Sequence, residues 1–206
     1  MPLIRRDAPS SPAAPEQEDH RRLLTQGSPD QRWAAARAMT DAADAPVLAA
    51  ALGGEADARV RGALLTSLSR SGTAESFDAM MPLLRSDEAS ARTGALDALR
   101  AMPEIVGARL PRLLEDEDTD VRLLACELAR GLPGEQATAL LAARLRLDSH
   151  PNVCAAAVEV LAEVGTAEVL PALEACAARF PEEPFLVFAT QAVADRIRSQ
   201  APARRG

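Results

Sequence analysis

A nine-residue frame recurs six times along the chain at a nearly constant interval, and this recurrence restricts the fold more than any other feature. The template is Val60-Arg61-Gly62-Ala63-Leu64-Leu65-Thr66-Ser67-Leu68. It has an apolar anchor followed by Arg, then a small or apolar residue four places after the anchor and an apolar residue eight places after it. The frame also fits Gln31-Arg32…Ala35…Met39, Ala91-Arg92…Ala95…Leu99, Val121-Arg122…Ala125…Ala129 and Val153-Cys154…Ala157…Leu161. A weaker copy is Phe185-Leu186…Ala189…Val193. The anchors lie 29, 31, 30, 32 and 32 residues apart. Offsets 0, 4 and 8 fall on one face of a helix, so each copy predicts a helix with a core face. A fixed period near 31 residues predicts stacked helical hairpins, each burying its neighbour's apolar face.

A second apolar helix is expected between copies, over residues 74–84, 105–114, 136–145 and 167–176, with a first one at residues 16–26. Thr73 and Thr166 follow Gly72 and Gly165, which reads as one helix ending and the next being capped. Asp57, Asp87 and Asp118 stand at the entries of the Arg-bearing helices, where a carboxylate suits the helix dipole. Pro82, Pro111 and Pro171 recur at equivalent places in the intervening helices and predict a kink in each. Composition agrees with helices. Apolar residues make up 48% of the 206, aromatics 2%, and there is no tyrosine. Ala and Leu favour helix over sheet.

The segments Asp57-Ala58-Arg59-Val60-Arg61, Glu88-Ala89-Ser90-Ala91-Arg92 and Asp118-Thr119-Asp120-Val121-Arg122, with Gly165-Thr166-Ala167-Glu168-Val169-Leu170-Pro171-Ala172-Leu173 as a second helix, carry a family resemblance. The chain resembles the short, roughly 30-residue bacterial HEAT-like repeats of the phycobilisome-lyase-like type. The resemblance covers about residues 16–198. It implies an all-α, right-handed α-solenoid (superhelix) of about six hairpins. Cys154 and Leu186 stand where the pattern has Arg. Residues 1–15 are expected to form a flexible arm, 16–199 the repeat domain and 200–206 a short flexible tail.

Charge and composition exclude several functions. The net charge is −7, with no basic run, which disfavours a nucleic-acid partner. No apolar stretch reaches the roughly 20 residues a membrane span needs. All 23 basic residues are Arg, a bias that fits a GC-rich bacterial source. Cys126, Cys154 and Cys176 have no motif spacing and read as reduced, buried residues of a cytoplasmic protein. His20 and His150 stand in no catalytic or metal-ligand pattern, so no cofactor and no enzyme activity are expected. The acidic run Asp116, Glu117, Asp118 and Asp120 lacks a calcium-loop pattern and reads as a solvated turn.

Two sets of residues remain as candidates. Arg32, Arg61, Arg92 and Arg122 share one offset and form a ladder. The resemblance implies pairing with acids at nearby turns, here Asp57, Glu88 and Asp118, so a structural role is favoured over an anion-binding stripe. Offsets 2, 6 and 9 point away from the core and supply Trp33, Arg37, Asp97, Arg100, Leu123, Glu127, Arg130, Ala155 and Glu159. Such a face suits a partner protein or peptide, although charged exposed helix faces are also the ordinary case. Trp33 is either an interface anchor or a ring packed beneath the first helix or the arm; its size favours the second.

The reading that follows is a non-catalytic scaffold or adaptor, compatible with a place in a larger complex. The resemblance implies a second reading, a bilin-lyase-like chaperone or lyase subunit, which the scarcity of aromatics disfavours. A third is DNA binding, as in the HEAT-like alkylpurine DNA glycosylases, which need a positively charged concave face.

Overall fold

The computed structural model describes residues 14–200, with side chains from Glu18 onward. The expected arm and tail lie almost wholly outside the described residues. These contain twelve α-helices and no strand. The chain divides into two compact units, with the boundary between Ala79 and Met80.

The first unit holds α1 (Ala14–Gln26), α2 (Pro29–Ala38), α3 (Ala45–Leu52), α4 (Ala58–Ser71) and all but the last residue of α5 (Ala74–Met80). The second holds α6 (Ala89–Arg100), α7 (Pro103–Leu114), α8 (Thr119–Leu128), α9 (Gly134–Leu147), α10 (Pro151–Val164), α11 (Leu170–Arg179) and α12 (Pro184–Gln200). Five helix pairs pack as hairpins, α1/α2, α3/α4, α7/α8, α9/α10 and α11/α12, and α6 packs on the 3-10 segment Met81–Arg85. The even-numbered helices carry the repeated frame and are termed inner helices, as the solenoid expectation has them; the odd-numbered ones alternate with them. Within the first unit α2 packs on α4 and α1 touches α3; within the second α8 and α12 pack on α10, α6 touches α8, and α9 packs on α11.

The core follows the repeat. Val60, Leu64 and Leu68 are wholly buried, as are Val153, Ala157 and Leu161, and Ala91, Ala95, Leu99, Val121, Ala125 and Ala129 are nearly so. Each buried Val or Leu contributes roughly 1.5–3 kcal/mol. Two copies depart from the frame. Gln31 is no core anchor but the third residue of a capping box, with its Oε1 accepting from Ser28 N–H at 2.9 Å. In α12 the frame is shifted by one residue. Phe185 is 74% exposed, and Leu186, Thr190, Val193, Ala194 and Ile197 face the core instead.

Helix ends depart from expectation in instructive ways. Gly72 takes the left-handed conformation, φ 60 and ψ 35, which an L side chain adopts only with strain. Thr73 then caps α5, its Oγ1 accepting from Ser76 N–H at 3.0 Å. Gly165 is extended, and the Thr166 hydroxyl makes no hydrogen bond; the Thr166 N–H donates instead to Thr138 Oγ1 at 3.0 Å. Nor do the three prolines make one recurring kink. Pro82 opens a 3-10 segment (Met81–Arg85), Pro111 lies inside α7, and Pro171 occupies the first turn of α11, where its missing N–H costs nothing.

Candidate functional site

Four of the inner helices, α4, α6, α8 and α10, are entered through one repeated turn. A polar residue two places before the cap accepts the cap residue's N–H, and the cap residue accepts from the first helical turn. Glu55 accepts from Asp57 at 2.9 Å, Ser86 from Glu88 at 3.2 Å, Asp116 from Asp118 at 3.0 Å and Asp148 from His150 at 2.9 Å. Asp57, Asp118 and His150 then cap α4, α8 and α10. This adds to one expectation and revises another. The acidic run at 116–120 is a hydrogen-bonded turn rather than merely a solvated one. The acids seen in pairs with ladder arginines are Glu55, two residues before the expected Asp57, and Asp148, two residues before the His150 cap.

Arg32 forms a two-pronged pair with Glu55, at 2.8 and 2.9 Å, and Arg122 with Asp148, at 2.8 and 3.3 Å. Arg92 donates to Ser86 O at 2.6 Å, and Arg122 to Asp116 O at 2.9 Å. Arg61 is buried. The bond from Arg32 holds the Glu55 carboxyl below its ordinary range. Burial alone would raise Asp148, but bonds from Arg122 and His150 N–H and the charge of Arg144 at 3.0 Å outweigh it and hold the carboxyl low. Where its pairs are seen, the ladder ties one inner helix to the turn that opens the next.

At Cys154 the ladder lacks its Arg, and α11 supplies one. Arg179 donates to Leu145 O, Arg146 O and Asp148 O at 2.6, 2.6 and 2.8 Å, and lies 3.5 Å from Cys154 Sγ. A hydrogen bond with Cys176 and the charge of Arg179 pull the Cys154 thiol down; burial pushes Cys126 up to about 12. All three cysteines are buried. Among the described residues no group of His, Cys, Asp and Glu could hold a metal ion.

The offset 2, 6 and 9 residues are all at least partly exposed. In the second unit they separate into two zones. Asp97, Arg100, Glu127, Arg130 and Glu163 form a chain of ion pairs: Arg100 to Asp97 at 3.0 Å and to Glu127 at 3.2 Å, Arg130 to Glu127 at 3.3 Å and also to Glu163. Exposed pairs of this kind add about 0–1 kcal/mol each, so they occupy these cations more than they stabilise the fold. Beside them Leu123, Glu127, Ala155 and Glu159 line an open groove of about 430 Å³ together with Phe185, Ala189 and Val193. The groove is built on α8, α10 and α12. Small residues on α10 and α12 keep its floor low, and Phe185 stands at its rim. Among the described residues Glu159 has no ion-pair partner.

Phe185 is the residue the sequence misplaced. The one-residue shift in α12 turns the expected anchor onto the groove. The available signal was that α12 is apolar on two faces, through Leu186, Val193 and Ile197 on one and Phe185, Ala189 and Ala192 on the other; a helix apolar beyond one stripe has a second surface to cover.

In the first unit Trp33 is half-buried, neither sealed under α1 nor bare. The guanidinium carbons of Arg37 and Arg59 lie 4.7 and 5.5 Å from its ring centre. Trp33, Arg37, Arg59, Gly62, Thr66 and Arg70 surround a separate polar hollow of about 370 Å³.

Residues 107–185 match the family model for HEAT repeats. Among solved structures the chain is similar to an engineered protein, with 18% identity, a TM-score of 0.43 and coverage of 89% of this chain and 97% of that one. It is also similar to the complex of CpcE and CpcF of phycocyanin lyase from Nostoc sp. PCC7120, with 14% identity, a TM-score of 0.40 and coverage of 95% and 100%. No curated protein matches the chain. Among the described residues no helix is long and apolar enough to cross a membrane.

Proposed function

We propose that this HEAT-like repeat protein is a non-catalytic scaffold that seats a segment of a partner protein in the α8/α10/α12 groove. HEAT repeats as a class mediate protein interactions. The observation that carries the reading is the groove itself: an apolar floor on three consecutive inner helices, a phenylalanine 74% exposed at its rim and the unpaired carboxylate of Glu159 beside it. Burying a large apolar ring contributes roughly 1.5–3 kcal/mol, so an exposed phenylalanine marks a surface that gains from being covered. The groove suits an amphipathic helix or short apolar peptide whose side chains settle over Ala155 and Ala189. Basic residues flanking that apolar stripe would meet Glu159, since Glu127 already pairs with Arg100 and Arg130.

Comparative affinity capture from native lysate tests the reading. Phe185→Glu leaves the core untouched and should change stability by no more than about 0.5 kcal/mol. Captured partners should fall about tenfold or more with Phe185→Glu, and also with Glu159→Arg. Identical capture by the wild type and both variants would remove the groove from consideration.

A further inference from the structure

The hollow on α2 and α4 carries chemistry opposite to that of the groove, and its occupant can be argued independently. Three guanidiniums converge there in a chain whose net charge is −7. Among the described residues neither Arg37 nor Arg70 has a carboxylate within ion-pair distance. Arg59 pairs with the exposed Asp30, so a carboxylate already sits at the edge of the site. Arg37 and Arg59 rest on Trp33, which fixes planar donors in place before any ligand arrives and reduces the entropy lost on binding. Thr66 Oγ1 donates to Gly62 O at 2.9 Å and Ser67 Oγ to Ala36 O at 2.7 Å. Both hydroxyl protons are thus spent within the fold, which leaves the guanidiniums as the site's charged donors.

Gly62 supplies the second observation. It lies inside α4, where glycine costs about 0.8–1 kcal/mol relative to alanine. A Cβ built at Gly62 meets nothing within 4 Å, so neither packing nor backbone conformation explains the glycine. What it does is leave bare backbone on the floor of the arginine hollow, as suits close approach by another chain.

We propose that the α2/α4 face is a second docking site, which takes an acidic, Asp/Glu-bearing segment of a partner protein. Its carboxylates bind Arg37, Arg59 and Arg70, and its backbone passes over Gly62. A carboxylate already pairs with one of these arginines, Asp30 with Arg59, and carboxylates take Arg32 and Arg122 elsewhere in the molecule. Trp33 is the only tryptophan, so the site has its own reporter. Capped hexaglutamate titrated into the full chain at low salt should change tryptophan fluorescence saturably, and added salt should weaken the effect; capped hexaglutamine should do nothing. Arg70→Glu and Gly62→Leu should each raise the apparent Kd at least about tenfold. Gly62→Leu improves helix propensity and its Cβ enters open space, and an unfolding curve equal to or above the wild type's separates a loss of binding there from a loss of folding. No saturable response to hexaglutamate, an equal response in both variants, or a response confined to a phosphoserine peptide would each overturn the assignment.

Discussion

The two units use the same positions of the same repeat for opposite chemistry. In the first, offsets 2 and 6 present Trp33, Arg37, Gly62 and Thr66, with Arg59 and Arg70 beside them. In the second, the same offsets present Leu123, Glu127, Ala155 and Glu159, with Phe185 beside them. One face is cationic over a glycine floor; the other is apolar with a carboxylate rim. The difference shows which constraints the repeat imposes. Offsets 0, 4 and 8 are fixed by burial, and the polar turn two residues before each cap is fixed by backbone N–H groups that must be paired. Offsets 2 and 6 meet neither demand, so recognition can diverge there without cost to the stack.

The turns beneath the two faces differ in burial, which gives the largest expected effect. The Asp148 side chain is 1% exposed and takes Arg122 and Arg144, whereas Glu55 is 6% exposed and takes Arg32 alone. Asp148→Ala strands two arginines and should cost about 3–5 kcal/mol in urea unfolding. Glu55→Ala should cost less, because Arg32 is 24% exposed and water can reach it. Equal losses would mean that the two turns are equivalent supports. Acid sharpens the contrast. Both carboxyls are held below their unfolded values, so their contribution is fully present above the unfolded pKa, roughly pH 4, and is lost as pH falls through the lower folded values. Tm measured from pH 7 down to pH 3 should therefore drop less steeply in Asp148→Asn than in the wild type.

A smaller effect tests how the second unit manages without a ladder arginine. Arg179 serves the turn carbonyls around Cys154, and Arg179→Ala should cost about 1–3 kcal/mol by leaving them short of donors. Cys154→Arg alone should also destabilise, because it buries a second guanidinium beside the first. Combined, the two changes should cost less than the sum of the single ones in a double-mutant cycle. Additive losses would show that Arg179 does not stand in for the ladder.

The sequence made the hairpins and most of the core legible, because burial leaves a periodic trace: Val60, Leu64 and Leu68 could be assigned without coordinates. The ladder partners were not legible. Glu55 and Asp57, like Asp116 and Asp118, are acids two residues apart, and only backbone geometry decides which caps a helix and which receives an arginine. Phe185 was misassigned because α12 offers two apolar stripes one residue out of step. Leu123, Glu127 and Glu159 were placed on one face by offset alone; the arginine hollow was not seen as a unit, since Arg59 and Arg70 stand at offsets −1 and 10, outside the positions considered.

Gly62 and Ala155 hold the same offset in the two units, and exchanging their side chains gives the finest test. If Gly62 serves a ligand and not the fold, Gly62→Ala should raise unfolding free energy by about 0.5–1 kcal/mol, because the added methyl enters open space and alanine favours helix. Ala155→Gly should lower it by a similar amount or slightly more, since Ala155 is partly covered on α10 and its methyl contributes burial as well as propensity. Urea unfolding of both variants reads the pair directly. A Gly62→Ala that destabilises would mean that α4 needs its glycine for packing, and the contrast between a floor kept bare for a partner and one filled for the fold would disappear.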